Sequence, residues 1–188
     1  MDEEKYDAFF NALKERLVVL IQKVTKAKQI EEGFLHQSFP IENQKKFMDG
    51  LLNYLHFDSS WGYQNESEHP FTSWTCQNDC RTTTKYLDSN VTSAILSTVH
   101  EVGHAYYEHN TDPKYDGMIL SEGISSGMHE SQSRLCENYL GRTMAFWKYN
   151  YPKLQAYFPK QLGNVSLEDF YKAINISKPS FVRTEADE

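Results

Sequence analysis

Two histidines four residues apart, His100 and His104, enclose Glu101 in the stretch Ser97-Thr98-Val99-His100-Glu101-Val102-Gly103-His104. On an α-helix, residues i and i+4 stand one above the other on the same face. Two imidazoles at that spacing can grip one Zn²⁺ through bonds of about 2.0–2.1 Å. Glu101 follows the first histidine and projects beside such an ion, where its carboxylate can take a proton from water. The chemistry in outline is metal-assisted hydrolysis. Random placement would produce this H-E-x-x-H pattern in about 2% of chains of this composition.

A catalytic zinc usually takes three protein ligands and keeps one position open for water. The candidates for a third ligand are Glu122, His129, Glu130 and Glu137, all downstream of the Asp112-Pro113 turn. Spacing alone does not choose between Glu122 and Glu130. Glu137 is less attractive, because it sits in the more regular helical stretch that runs to Arg142 and reads as a solvated surface carboxylate. Arg134, four residues after Glu130, is placed to hold that carboxylate from behind. His109 lies five residues past His104, on another face, and reads as solvent-exposed.

These side chains need elements to hold them. Apolar or small residues at Val91, Ala94, Ile95, Val99, Val102 and Ala105 make a buried stripe for the histidine helix, with Asp88 or Ser89 as its N-cap. Residues 3–30 carry Leu13, Leu17, Leu20, Ile21 and Val24 at helical spacing, an amphipathic helix whose apolar face is expected to pack. A second helix is predicted over 41–57 from Phe47, Leu51, Leu52 and Leu55, with His56 on the surface. Residues 58–86 are rich in aromatic and β-branched residues and predict a small β-hairpin or short strands. A long helix is expected over 127–150, ending in Phe146, Trp147, Tyr149 and Tyr151 before Pro152. Two short helices follow over 152–175, broken near Gly163-Asn164 and restarted by Ser166. The class is mainly α.

With 188 residues, a net charge of −7 and a pI near 5.5, the chain has one domain's length over 1–188 and no basic face for nucleic acid or anionic lipid. No apolar run approaches the roughly 18 residues a membrane span needs. Cys76, Cys80 and Cys136 make an odd count with no secretory leader, which points to a reducing, cytoplasmic setting. Cys76-x-x-x-Cys80 lacks the second pair that a structural zinc site requires.

Five stretches carry a resemblance: His69-Pro70-Phe71-Thr72, Asp79-Cys80-Arg81-Thr82-Thr83, His100-Glu101-x-x-His104, His129-Glu130-Ser131-Gln132-Ser133-Arg134, and Val182-Arg183-Thr184-Glu185-Ala186-Asp187. In this order they resemble the M32 metallocarboxypeptidases, the carboxypeptidase Taq family. The resemblance implies a helical zincin-type core, Glu130 as third metal ligand, Glu101 as general base, and Zn²⁺ or Co²⁺ as the ion. It further implies a peptide substrate with a free C-terminal carboxylate, gripped by Arg183, with His69 and Arg81 lining the cleft and Asp79 orienting Arg81. Lys85 stands where the family usually has a second arginine, which removes a bidentate grip. Homodimers are common in the family. The stretch resembles the middle of such an enzyme, so the expectation is a partial domain without the N-terminal cleft helices or the later G-x-x-Q-D-x-H-W loop. The alternatives are a non-catalytic fragment that binds metal or packs on a partner, and an aminopeptidase or endopeptidase of the wider H-E-x-x-H…E group.

Overall fold

A computed structural model describes residues 2–28 and 30–177. By compactness the chain falls into two units, Glu32–Asn175 and a smaller one formed by Met1–Glu31 with Ile176–Glu188. In the smaller unit, α1 (Glu3–Lys26) is capped by Asp2, whose side chain accepts from the Lys5 amide. Acidic Glu3 and Glu4 at its start and Lys23 and Lys26 at its end complement the helix dipole. No residue of α1 is buried, so the apolar stripe read as a packing face stays exposed.

The larger unit is helical with one small sheet. Helix α2 (Ile41–Tyr54) buries Phe47, Met48 and Leu51, followed by Leu55. His56, exposed just beyond it, has a positive φ of 51°. Three strands follow: β1 (Gly62–Glu66), β2 (Thr72–Cys76) and β3 (Asp79–Thr84). They lie in the order β1-β3-β2, with β1 parallel and β2 antiparallel to β3. Thr82, Thr83 and Thr84 of β3 are buried, an unusual run of hydroxyls that hydrogen bonding explains. The Thr84 hydroxyl donates to the Ala94 carbonyl, and Gln64 donates to the Thr98 hydroxyl. The sheet is thereby fastened to α3 (Val91–His109).

All six stripe residues of α3 are at most 2% exposed. Its N-cap is Asn90, not Asp88 or Ser89; the Asn90 side chain accepts from the Thr92 and Ser93 amides. The helix continues through Glu108 and His109.

The single long helix expected over 127–150 is two. Helix α4 (Ser126–Cys136) passes into a π-turn at Glu137–Gly141, and α5 (Met144–Tyr157) starts anew with Thr143 as N-cap. Trp147 donates from Nε1 to the Gly141 carbonyl at 2.8 Å, which ties the new helix to the break. Pro152 lies inside α5, which continues to Tyr157. Phe146, Trp147 and Tyr151 are buried, whereas Tyr149 is exposed. Helices α6 (Pro159–Leu162) and α7 (Leu167–Ile174) close the core, the latter capped by Ser166. Phe170 of α7 packs on Trp147 and Tyr151 with ring centroids 4.6 and 4.5 Å away.

Gly103 lets α4 lie close on α3. A Cβ there would stand 2.8 Å from Ser133 Cα and 2.9 Å from the Gln132 carbonyl oxygen, both backbone atoms. Gly103→Ala gains about 1 kcal/mol of helix propensity, but overpacking against backbone costs about 1–3 kcal/mol. The net expectation is a destabilised protein with a lower urea midpoint. A raised midpoint would show that the helices can part without cost.

Candidate metal centre

The face of α3 turned toward α4 carries His100, buried at 8% exposure, and half-buried His104. Glu130 comes from the second turn of α4, which starts at the Ser125 cap; the Ser125 hydroxyl accepts from the Met128 amide. Glu130 Oε2 lies 3.5 Å from His100 Nε2 and 3.4 Å from His104 Nε2. Donors held at about 2.0–2.1 Å on a tetrahedral ion sit about 3.4 Å apart, so the geometry suits one cation. Two imidazole nitrogens and a carboxylate oxygen are also a donor set that suits zinc. Among the described residues this trio is the cluster whose ligand atoms converge, all within 4.8 Å of one another.

Each donor is held from behind. His100 Nδ1 is 3.0 Å from Glu137 Oε2, which directs Nε2 toward Glu130. Glu137 is only 3% exposed, which corrects the expectation of a solvated surface carboxylate. The π-turn carries it inward, where Arg142 donates to Oε1 from Nε at 3.1 Å and Nη2 at 2.7 Å. Arg134 donates to Glu130 Oε1 at 2.7 Å and to Glu137 Oε2 at 3.1 Å, so one guanidinium braces both carboxylates. Ser133 adds a hydroxyl to Glu130 Oε2 at 3.0 Å.

The electrostatics follow. Burial raises the pKa of Glu137, but its bonds to His100 and Arg142 and the charges of Arg142 and Arg134 outweigh that and hold it ionised. Glu130 is likewise lowered, burial being outweighed by His100, Ser133 and Arg134. For His100, burial opposes the charged form, yet Glu137 and the neighbouring Glu101 and Glu130 push its pKa up. His104 falls to about 4, through burial first and then the charges of His100 and His129. A neutral imidazole is the form that offers a lone pair to a metal.

Glu101 is 6% exposed, and the Thr72 hydroxyl of β2 lies 2.5 Å from its Oε2 and 3.0 Å from its backbone carbonyl. The sheet thus reaches the carboxylate that neighbours the trio.

The remaining sequence candidates lie elsewhere. Arg81 is exposed on β3 and forms a two-point fork with Asp79, Nε to Oδ1 at 2.8 Å and Nη2 to Oδ2 at 2.9 Å. His69 is exposed in the β1–β2 loop, where its carbonyl accepts from Ser67. Lys85 pairs with Glu68 at 2.8 Å. Glu122 is exposed. His109 is half-buried, not solvated: it stacks on Trp61 at 4.0 Å, with Nδ1 2.7 Å from the Gln77 carbonyl. His129 stands behind His104, with their Nδ1 atoms 2.7 Å apart. Arg183 lies outside the described residues. Sequence reasoning passed over Glu108, although it extends the i, i+4 series of His100 and His104 by one more turn.

The sequence profile of the carboxypeptidase Taq (M32) metallopeptidases matches residues 1–188. The chain belongs to the M32 metallopeptidase family. It is 43% identical over 183 residues to carboxypeptidase 1 of Bacillus subtilis, covering 97% of this chain and 36% of that protein. Thermostable carboxypeptidase 1 of Thermus thermophilus is 38% identical, over 95% of this chain and 35% of its own length. The crystal structure of an M32 carboxypeptidase from Deinococcus radiodurans superposes with a TM-score of 0.93 at 38% identity, covering 100% of this chain and 38% of that one. The chain therefore spans just over a third of the relatives it matches. Membership of a metallopeptidase family implies a divalent metal ion. No helix among the described residues is long and apolar enough to cross a membrane.

Removing buried Glu137 would take a shared carboxylate from half-buried Arg142 and Arg134 and from the Nδ1 of His100. Glu137→Ala is expected to cost about 3–5 kcal/mol, read as a fall in the urea midpoint at unchanged m-value. A loss below about 1 kcal/mol, typical of an exposed ion pair, would contradict the buried network.

Proposed function

We propose that this chain supplies the metal-binding core of a carboxypeptidase, with His100, His104 and Glu130 as ligands of a zinc ion and Glu101 as general base. The observation that carries it is the convergence of two Nε2 atoms and one carboxylate oxygen at 3.4–3.5 Å, beside a buried glutamate. Cobalt accepts the same donors. A bound ion supplies Lewis acidity, polarising the scissile carbonyl and bringing the pKa of a water toward about 7. Glu101 takes the proton from the attacking water and returns it to the departing amine. Thr72 holds one Glu101 oxygen in place, so the base keeps its direction through both transfers. Arg134 keeps Glu130 ionised and correctly turned while charge changes nearby.

The substrate on this reading is a peptide with a free C-terminal carboxylate. Arg183 is the candidate fork for that carboxylate, while His69 and Arg81 are candidates for contacts along the cleft. Three free cysteines, Cys76 exposed among them, suit a reducing cytoplasm.

Metal analysis of the purified chain is expected to find about one zinc per chain, lost in Glu130→Gln. An unsubstituted chain without metal would overturn the ligand assignment. Glu101→Gln should keep its metal and lose hydrolysis of an N-terminally blocked dipeptide by at least about a hundredfold; full activity in that variant removes Glu101 as base. Stoichiometric zinc with no turnover of blocked dipeptides would favour the alternative, a metal-binding module without catalysis of its own.

A further inference from the structure

His100 has a carboxylate directly on its Nδ1, but His104 does not. Its Nδ1 meets another imidazole, His129 Nδ1, at 2.7 Å, and His129 Nε2 lies 2.6 Å from Oε1 of Glu108. Glu108 is 3% exposed and comes from α3 itself, one turn beyond His104. Its Oε1 also accepts from the Gly123 amide at 3.1 Å. The ring of His129 is held by stacking on Trp74, centroids 5.0 Å apart at 24°, and by an edge contact with Tyr107, also 5.0 Å. Gly123 closes the assembly: a Cβ there would stand 2.6 Å from His129 Cδ2 and 3.0 Å from Glu108 Oε1. This arrangement is built and packed.

Hydrogen-bond direction then propagates along it. A carboxylate only accepts, so the proton between Glu108 and His129 belongs to His129 Nε2. With one proton on its ring, His129 then has a bare Nδ1, which accepts from His104 Nδ1–H. That places the lone pair of His104 on Nε2, the atom 3.4 Å from Glu130. The opposite order would set the Nδ1 proton on His129, point its bare Nε2 at a carboxylate, and put a proton on His104 Nε2 where a cation should sit.

We propose that Glu108 and His129 form a two-step relay that sets the tautomer of His104, the counterpart of the one-step Glu137–His100 contact. His129 is then a positioning residue, acting on a metal only through His104. This inference rests on the metal-site reading above, and its test separates the two.

The first reading is long-range ¹H–¹⁵N correlation on metal-free protein labelled at histidine nitrogen. It should show His129 protonated at Nε2 and His104 at Nδ1. His129 protonated at Nδ1, or His104 at Nε2, overturns the relay, and no variant is needed to see it. His129→Phe keeps a ring between Trp74 and Tyr107 but removes the acceptor. It should raise the Kd for zinc, measured by chelator competition, by about ten- to a hundredfold, and lower the metal-free melting temperature as Glu108 loses a partner. An unaltered Kd overturns the proposal. Glu108→Gln keeps an acceptor and loses the charge, so its Kd should fall between those of the wild type and His129→Phe; a wild-type Kd would remove Glu108 as the relay's end. A wild-type chain that takes up no zinc overturns the proposed function, and the relay is then decided by the tautomers alone.

Discussion

The larger unit depends on one requirement: two imidazoles on a buried helix must both turn Nε2 outward to the same point. Each Nδ1 is thereby committed to the protein interior, where an unpaired polar atom is costly. Burying a carboxylate to meet that need is costly in turn unless cations and hydrogen bonds surround it. Glu137 shows how the chain meets this chain of demands, with Arg142 gripping one oxygen and Arg134 and His100 sharing the other. The break after α4 follows from the same need, since the π-turn is what carries Glu137 inward.

Close approach of α3 and α4 is the geometric condition for all of this. Donor atoms from two helices must meet within a few ångströms, and ordinary side chains at the crossing would hold the backbones too far apart. Gly103, between the two histidines in sequence, removes that obstacle. One residue of the H-E-x-x-H stretch therefore serves the helix crossing, while the histidines beside it are the proposed ligands. Substitution there tests packing and metal geometry together.

The sheet contributes position. Its buried threonines find partners in Gln64, Ser67, the Phe71 amide and the Ala94 carbonyl of α3, which anchors β3 without a thick apolar layer. That anchoring brings β2 across Glu101, so that Thr72 touches both the carboxylate and the backbone of the same residue. In the proposed role of base, a carboxylate so held would lose little freedom during proton transfer. The apolar core of α2, α5 and α7 lies around Trp147 and supports the site indirectly, through Gly141 and the break that presents Glu137.

Local periodicity was legible in the chain. The i, i+4 histidines, the stripe from Val91 to Ala105, the strands within 58–86 and the Ser166 restart all depend on neighbours in sequence, and all are present. So were the family and its mainly helical class, because five motifs in order are rarely shared by chance. What only the tertiary structure decided is which carboxylates are buried and what they face. Glu122, Glu130 and Glu137 look alike along the chain; they differ because α4 docks at Gly103 and then unwinds by a π-turn. Glu108 and His129 are 21 residues apart, and nothing local announces that they touch. Periodicity is set by bonds along the backbone, whereas the surroundings of a charge are set by whatever folds across it.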